Sequence, residues 1–168
     1  MTGIPQDMRQ RLIELLPRLR RFTRTLVRHD ADADDVLQIA LERALGRFEQ
    51  WQPDTRLDSW MFAIIRNAWI DELRARKRRG AQVDIDELEE SMPAKGTDPT
   101  TELEAVQYAM AQLPEEQRTA VSLVLIEGLS YKEAAATMQI PIGTLTSRLA
   151  RGREALQKLL GDSGQVAS

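Results

Sequence analysis

The sequence predicts an all-α protein built from two small helical domains joined by an acidic flexible linker. Apolar residues recur at spacings of three and four through most of the 168 residues, which is the period of an amphipathic helix. No alternation of apolar and polar residues, as in a strand, continues for more than a few positions. Residues 81–101 break the helical pattern with two prolines, a glycine and six acidic residues. We therefore predict domains at 1–80 and 102–160, the linker at 81–101 and a disordered tail at 161–168.

The N-terminal half contains four predicted helices. A short helix ends at Pro17, where a second helix begins, since proline is tolerated in a first helical turn. The acidic run Asp30–Asp35 then starts the next helix, with Asp35 and Gln38 at capping-box spacing. A long helix is predicted over Leu57–Arg78. The residues predicted to be buried in the helix after the acidic run are Leu37, Leu41, Ala44, Leu45 and Phe48.

In the C-terminal half, a helix is predicted from Glu102 to Leu113, and Pro114 starts the next helix. Ser130 and Glu133 form a Ser-x-x-Glu capping box, which marks the start of a further helix. The residues predicted to be buried in the two preceding helices are Leu103, Val106, Met110, Leu113, Val121, Val124 and Leu125.

The stretch SYKEAAATMQIPIGTLTSRLARGREALQKLL, from Ser130 to Leu160, predicts a helix-turn-helix. In its second helix the apolar residues share one face, and small residues at 134–136 suit a close helix crossing. A separate face carries hydroxyls and arginines, which suit phosphate or guanine and favour DNA binding over a merely solvated face. The usual turn glycine is absent, and Gln139 stands in its position. The apolar face is Leu145, Leu149, Gly152, Leu156 and Leu159, and the polar face is Thr144, Ser147, Arg148 and Arg151.

Aromatic and basic residues cluster in the N-terminal half. Trp51, Trp60 and Trp69 fall within 19 residues, and a basic run at 74–79 follows them. Aromatic platforms beside cationic tracks are typical of single-stranded nucleic-acid binding. Trp60 also has the spacing of a core residue, and Trp69 fits either a core role or a stacking role. A core role is less natural for Trp51, although its ring would cap the hydrophobic core. The basic run is either a phosphate contact or a solvated helix end.

Composition and charge exclude several classes of function. With no cysteine and one histidine, His29, disulfides and thiolate or His-cluster metal sites are excluded, and His29 is expected at a surface helix end. The sequence has no long apolar run, signal core or catalytic constellation, so we expect a cytoplasmic, non-enzymatic protein without membrane span, metal or cofactor. The net charge of −3 conceals 16 basic and 12 acidic residues in 1–80, an asymmetry that fits nucleic-acid binding.

Four blocks of the chain resemble the extracytoplasmic-function sigma factors of the sigma-70 family. They are ADDVLQIALERAL (33–45), LDSWMFAIIRNAWIDELRARKRR (57–79), LPEEQRTAVSLVLIEGLSYKEAAATM (113–138) and IGTLTSRLARGREAL (142–156). The resemblance implies a region 2-like domain that binds core RNA polymerase and the −10 promoter element, and a region 4-like domain that binds the −35 element. It further implies promoter melting and control by an anti-sigma factor.

The resemblance also implies specific contacts. Polymerase contacts fall at Asp35, Gln38 and Glu42, although Ile39 and Leu41 depart from the acidic and aromatic residues frequent in the family. Contacts to −10 DNA fall at Trp51, Arg56, Trp60, Asn67, Arg74, Arg76, Lys77 and Arg78. Contacts to the −35 element fall at Thr144, Thr146, Ser147, Arg148 and Arg151, and Thr146 stands where the family often has a basic residue. The linker acids Asp84, Asp86, Glu87, Glu89 and Glu90 would either follow the RNA exit path or stay solvated.

Two other functions compete with a sigma factor. A sigma-mimicking adaptor would keep the fold but bind an anti-sigma factor instead of DNA, which the arginines on the polar face of the last helix and the basic run argue against. An ordinary helix-turn-helix regulator would bind duplex DNA tightly without polymerase, usually as a dimer.

Overall fold

The computed structural model describes residues 4–27, 29–52, 55–80 and 101–164. Within these residues every regular element is a helix, which confirms the predicted all-α fold class. The chain divides into two compact units, Met1–Ala75 (unit 1) and Arg76–Ser168 (unit 2). The predicted linker except Thr101, including the five acids named above, lies outside the described residues. No helix in the described ranges is long and apolar enough to cross a membrane.

Unit 1 contains α1 (Gln6–Leu26) and α2 (Asp30–Gly46), followed by a 3-10 turn (Phe48–Gln50) and all but the last three residues of α3 (Leu57–Arg78). The bounds of α3 are those predicted from the sequence, and the division between the two units falls close to its C-terminal end. The core of unit 1 is centred on the rings of Phe22 and Phe62, whose centroids lie 4.7 Å apart.

The predicted break in the first helix at Pro17 is wrong, because α1 continues through this residue. Proline lacks an amide hydrogen and its ring crowds the carbonyl group one turn earlier, which costs a helix about 3 kcal/mol. Leu12 and Leu19, on either side of Pro17, are both buried in the core of unit 1. Their burial stabilises the two halves of α1 as one helix and offsets the cost.

The start of α2 also differs from the prediction. The helix begins at Asp30, so Asp35 lies inside it and is not its N-cap. Asp30 and Asp32 occupy the first turn, where negative charge interacts favourably with the helix dipole. His29 is the N-cap residue and is half-buried, so it lies at a helix end as predicted.

The buried side of α2 is formed largely by small residues. Large apolar residues were predicted there, but Leu45 is 50% exposed, and Leu41 and Phe48 are half-buried. Small side chains allow the backbone of one helix to approach another closely, so alanine can line an interface that hydrophobicity alone assigns to leucine. The buried residues are Ala33, Val36, Leu37, Ala40 and Ala44.

A buried carboxylate joins α1, the segment before α3 and the first turn of α3. Asp58 is 6% exposed, and its Oδ1 accepts hydrogen bonds from Arg56 Nε at 3.1 Å and from the Ser59 amide at 2.8 Å. Its Oδ2 lies 2.7 Å from Arg56 Nη2 and 3.1 Å from Arg18 Nη1. Burial acts to raise the pKa of Asp58, but these hydrogen bonds and the two positive charges outweigh burial and hold the pKa below its ordinary value.

Unit 2 contains α4 (Glu102–Gln112), α5 (Glu115–Val121), a π-helical turn (Ser122–Ile126), α6 (Tyr131–Met138) and α7 (Ile142–Gly164). Thr101 caps α4 by accepting a hydrogen bond from the Glu104 amide at 3.1 Å. Pro114 is the N-cap residue of α5, so this helix starts where the sequence predicts.

The apolar stripe predicted inside α4 is buried only towards its C-terminal end. Met110 and Leu113 are buried, whereas Leu103 is 68% exposed and Val106 is 37% exposed. Leu125, which was also predicted to be buried, is exposed in the π-helical turn. Apolar spacing therefore identified these helices but not how far along each helix the core extends.

A helix-turn-helix links α6 and α7. The predicted capping box is present, because Ser130 Oγ accepts from the Glu133 amide at 3.1 Å and Glu133 Oε1 accepts from the Ser130 amide at 3.3 Å. Gln139 occupies the turn position where glycine is common, with φ 57° and ψ 44°. This left-handed conformation costs a residue with a Cβ roughly 1–2 kcal/mol, and the packing of α6 against α7 offsets that cost.

Helix α7 packs through its predicted apolar face. Leu145 and Leu149 are at most 2% exposed, and Gly152 is buried against α5. A Cβ atom at Gly152 would lie 2.6 Å from Val121 Cγ2, so the helices approach closely only because this residue is glycine. On α6, Ala134, Ala135 and Met138 are buried, whereas Ala136, also predicted at the crossing, is exposed.

The predicted disordered tail begins too early. Helix α7 continues to Gly164, so residues 161–164 are helical, and residues 165–168 lie outside the described part of the chain. The sequence GDSG contains two poor helix formers, which is why the pattern alone ended the helix at Leu160.

We predict that Asp58→Asn destabilises unit 1 by about 1–3 kcal/mol at pH 7, because it removes hydrogen bonds to a charged acceptor. Since the folded-state pKa of Asp58 is lowered, its ionised form stabilises unit 1 above the unfolded-state pKa. That contribution is lost as the pH falls through the folded-state pKa, so the difference between variant and wild type should shrink below about pH 4.

Urea unfolding followed by tryptophan emission measures this effect, since all three tryptophans lie in unit 1. Asp71→Asn is the matched control, because Asp71 forms an exposed ion pair with Arg43 and such pairs contribute little. An Asp58→Asn loss that is equal at pH 7 and pH 3 would contradict the assignment.

Candidate nucleic-acid and polymerase interfaces

One side of α7 carries the polar residues predicted to contact duplex DNA. Thr144, Ser147, Arg148 and Arg151 are spaced three and four apart and lie away from the buried leucines, and we call them the recognition face. Ser147 and Arg151 are exposed, and the other two are half-buried. Two hydroxyls and two guanidinium groups thus occupy the first three turns of α7, the part of such a helix that enters the major groove.

Arg148 of the recognition face is held by a residue that the sequence reading missed. Its Nη2 lies 3.2 Å from Glu116 Oε2 in the first turn of α5, and the Arg148 side chain is 22% exposed. The ion pair crosses from α5 to α7, so no local sequence pattern indicates it. The Arg148 guanidinium is therefore already engaged with a carboxylate in this structure.

Thr146, also predicted to contact the −35 element, does not share the recognition face. At 100° per residue it lies roughly half a turn around α7 from that face. It is exposed, and its hydroxyl donates a hydrogen bond to the Ile142 carbonyl at 2.9 Å. Thr146 therefore has a different orientation from Arg148 and Arg151.

Four residues predicted to contact the −10 strand align along α3. Trp60, Asn67, Arg74 and Arg78 recur at seven, seven and four residues, which places them on one side of the helix; we call this side the strand face. It extends over about 27 Å, at 1.5 Å per residue. Trp60 and Asn67 are half-buried, whereas Arg74 and Arg78 are exposed.

The other basic residues of the α3 run lie elsewhere on the helix. Arg76 is half-buried on the side opposite to the strand face, and Lys77 is exposed on a flank. Asp71 falls on the same side as the strand face, but Arg43 Nη1 of α2 lies 2.8 Å from Asp71 Oδ2 and offsets its charge. The strand face is therefore cationic at its C-terminal end.

The three tryptophans occupy different environments. Trp69 is 8% exposed and belongs to the core. Trp51, for which a core role was thought less natural, is also 8% exposed, and its ring centroid lies 5.7 Å from that of Phe48. The Phe48 and Trp60 rings meet edge to face at 6.3 Å. Trp60 is thus the tryptophan that combines partial exposure with a place on the strand face.

Two further contacts fix the segment between α2 and α3. The guanidinium carbon of Arg11 lies 5.5 Å from the Trp51 ring centroid, within cation–π range. Arg56, predicted to contact DNA, directs Nε and Nη2 at Asp58, and its side chain is 46% exposed. Arg11, Arg18 and Asp58 were not singled out from the sequence, because their partners are distant along the chain or in a loop.

The predicted polymerase contacts lie together on α2. Asp35, Gln38 and Glu42 are all exposed and spaced three and four apart, so they share one side of the helix. Leu45 follows three residues later on the adjoining surface and is 50% exposed. This side of α2 therefore combines acidic groups with one exposed apolar side chain. Across the described residues there is no group of three or more side chains able to hold a metal ion.

Comparison with known proteins matches both units. The Sigma-70 region 2 model matches residues 12–79, and the Sigma-70, region 4 model matches residues 103–156. The ECF RNA polymerase sigma factor EcfG of Rhodopseudomonas palustris (strain TIE-1) is 33% identical over 157 residues, which cover 94% of this chain and 87% of that protein. The ECF RNA polymerase sigma factor SigM of Mycobacterium tuberculosis is 37% identical over 146 residues, which cover 85% and 71% of the two chains.

A solved structure agrees with these matches. The sigma factor RpoE from Bartonella quintana, in complex with the anti-sigma factor NepR, superposes with a TM-score of 0.76 at 30% identity. The superposition covers 94% of this chain and 98% of that chain. Both sigma regions are present in order, and two relatives above 30% identity are each matched over more than two thirds of their length. This chain therefore belongs to the extracytoplasmic-function (ECF) RNA polymerase sigma factors of the sigma-70 family.

Proposed function

We propose that this chain directs core RNA polymerase to promoters by reading the −35 element with unit 2 and by engaging the melted −10 element with unit 1. The observation that carries the proposal is the presence of two separate polar and cationic faces, the recognition face on α7 and the strand face on α3. The chain supplies specificity and no catalysis, and it acts in the cytoplasm.

In unit 2, the recognition face enters the major groove of duplex −35 DNA. Arg148 and Arg151 contact phosphates or the N7 and O6 atoms of guanine. Thr144 and Ser147 donate hydrogen bonds from their hydroxyls to the sugar-phosphate backbone of the DNA. Thr146 points elsewhere on α7 and contacts the flanking backbone. A single reading helix of this kind binds weakly alone, so polymerase is needed to hold the protein on the promoter.

In unit 1, the strand face follows the non-template strand of the −10 element. Trp60 offers a partly exposed ring on which a base can stack, which contributes roughly 1–3 kcal/mol per base. Asn67 supplies a hydrogen-bonding amide, and Arg74 and Arg78 bind phosphates. Trp51 and Arg56 lie in the segment before α3, and they reach a flipped base only after changing the contacts they make in this structure.

The acidic side of α2 contacts core polymerase. Asp35, Gln38 and Glu42 provide charged and polar contacts, and Leu45 adds an apolar side chain that a partner can bury. An anti-sigma factor that covers this side blocks assembly with polymerase. The anti-sigma complex of the Bartonella quintana sigma factor supports this mode of control.

Transcription in vitro with core polymerase tests the function. Adding the purified chain to core enzyme should yield discrete transcripts from a subset of a library of candidate promoters, while core enzyme alone yields none. An absence of promoter-specific transcripts across the library, despite stable binding to core polymerase, would favour the adaptor function instead. Tight binding of the free chain to duplex DNA would favour an ordinary regulator.

We predict that Arg148→Ala and Arg151→Ala each weaken binding to the −35 element by about 1–3 kcal/mol, because each removes a guanidinium from the recognition face. Fluorescence anisotropy of the holoenzyme on a duplex −35 probe measures the loss. Arg153→Ala is the control, because Arg153 is an exposed arginine of α7 outside the recognition face. Losses no larger than that of the control in both variants would remove these arginines from the interface.

We predict that the chain co-purifies from its native host with a small protein that competes with core polymerase. Substituting Leu45→Asp should weaken capture of that protein and of polymerase together, since both use the same side of α2. Co-precipitation with quantitative mass spectrometry measures both partners. Recovery of the competing protein at wild-type levels with the variant would place its binding site elsewhere.

A further inference from the structure

We propose that Arg11 and Arg18 of α1 are positioning residues for promoter melting, although they lie outside both the strand face and the recognition face. They hold the α2–α3 connection, by which we mean the described residues 47–52, 55 and 56, in the conformation that supports Trp60 on the strand face. The inference rests on the proposed role of unit 1 in −10 binding and extends it to a helix with no assigned role in DNA binding.

The two arginines share one side of α1. They are seven residues apart, which is close to two helical turns, so both point towards the same neighbour. Arg11 contacts Trp51 near the beginning of the connection, with its guanidinium carbon 5.5 Å from the ring centroid. Arg18 contacts Asp58 just after the end of the connection, with Nη1 3.1 Å from Oδ2. One helix therefore holds the connection at both ends.

At the beginning of the connection, a series of aromatic contacts joins Trp51 to Trp60 of the strand face. Trp51 packs on Phe48 at 5.7 Å, and Phe48 meets the Trp60 ring edge to face at 6.3 Å. Trp51 is 8% exposed, and its Nε1 is buried without a hydrogen-bond partner among the described residues. An indole held in this way depends on ring packing and on Arg11 for its position, so Arg11 fixes the rings against which Trp60 rests.

At the end of the connection, Arg18 and Arg56 share the carboxylate of Asp58. Asp58 accepts from Arg56 at both oxygens, and Arg18 approaches Oδ2 from α1. The Arg18 guanidinium carbon also lies 5.7 Å from the Phe62 ring centroid, which fixes its direction. Loss of Arg18 removes the ion pair between α1 and Asp58 and leaves the contacts of Asp58 with Arg56 and the Ser59 amide.

A purely structural role for these arginines makes a different prediction. If they only stabilise unit 1, their substitution lowers the unfolding midpoint and weakens polymerase and DNA binding to a similar extent. If they position the connection, their substitution impairs −10 engagement selectively. Binding to core polymerase through α2 and to duplex −35 DNA through α7 then stays unchanged.

The test uses the variant Arg11→Met/Arg18→Met, in which methionine keeps most of the aliphatic side chain. Its matched control is Arg9→Met/Arg20→Met, which removes the same charge from exposed positions of α1. Holoenzymes are assembled with core polymerase on a promoter mapped with the wild-type chain. Binding to a forked probe with a single-stranded −10 tail, binding to a duplex −35 probe, and permanganate reactivity of −10 thymines are measured.

We expect the double variant to bind the forked probe about tenfold more weakly, equivalent to about 1.4 kcal/mol, and to lose permanganate reactivity. Binding to core polymerase and to the duplex probe should stay within about twofold of wild type, as should every measurement on the control. Arg11→Met/Arg18→Lys, which keeps a cation beside Asp58, should lose less forked-probe binding than Arg11→Met/Arg18→Met.

The outcomes separate this inference from the proposed function. If wild-type holoenzyme opens no promoter, the proposed function of unit 1 fails. If wild type opens the promoter and the double variant opens it equally well, the positioning role fails while the function stands. A parallel loss of forked-probe, duplex-probe and polymerase binding, or an equal loss in the control, also overturns the positioning role. If the double variant does not fold, the same measurements are made on the single variant Arg11→Met, which leaves the Asp58 ion pairs intact.

Discussion

The ionised carboxylate of Asp58 determines how the parts of unit 1 meet. A charge with 6% exposure is unfavourable in a protein interior unless hydrogen bonds and opposite charges surround it. Here Arg56, the Ser59 amide and Arg18 supply them, and each comes from a different part of the unit. Because the carboxylate is costly without all of its partners, the start of α3 has one well-defined position relative to α1, and the direction of the strand face follows from it.

The packing of unit 2 depends on how closely its helices approach one another, whereas that of unit 1 depends on the buried charge of Asp58. Gly152 allows α7 to approach α5 more closely than a residue with a Cβ permits, and Gln139 accepts a left-handed backbone so that α7 can turn back onto α6. Both features orient α7 so that Leu145 and Leu149 are buried and the recognition face points away from them. The recognition face thus owes its direction to residues that are not part of it.

Local patterns predicted much of this architecture. The bounds of α3, the capping box at Ser130 and the apolar face of α7 each depend on residues close together in sequence, so their spacing was sufficient. Pro17 and Leu45 were misjudged because burial of distant neighbours, and not local propensity, decides whether a helix continues and which side faces the core. The family resemblance identified candidate contact residues, and the periodicity of α3 then separated Arg74 and Arg78 from Arg76.

Ion pairs between distant segments could not be inferred from the sequence. Arg18 meets Asp58 and Arg148 meets Glu116 only after several helices have packed, and charged residues are too common in this chain for their partners to be guessed. These ion pairs show that an arginine can lie on a suitable face and still be engaged with a carboxylate of the protein. Such pairing determines which cations are readily available to nucleic acid and which act inside the protein.

The Arg148–Glu116 pair has a consequence for the thermodynamics of promoter binding. A cation that neutralises a DNA phosphate normally displaces a condensed counterion, and each such contact steepens the dependence of affinity on salt concentration by about 0.9 in a log–log plot. If Arg148 makes the phosphate contact proposed above, Glu116 loses its partner and attracts a cation from solution, so fewer ions are released in total. The affinity of unit 2 for DNA should therefore fall less steeply with ionic strength than its number of arginines implies.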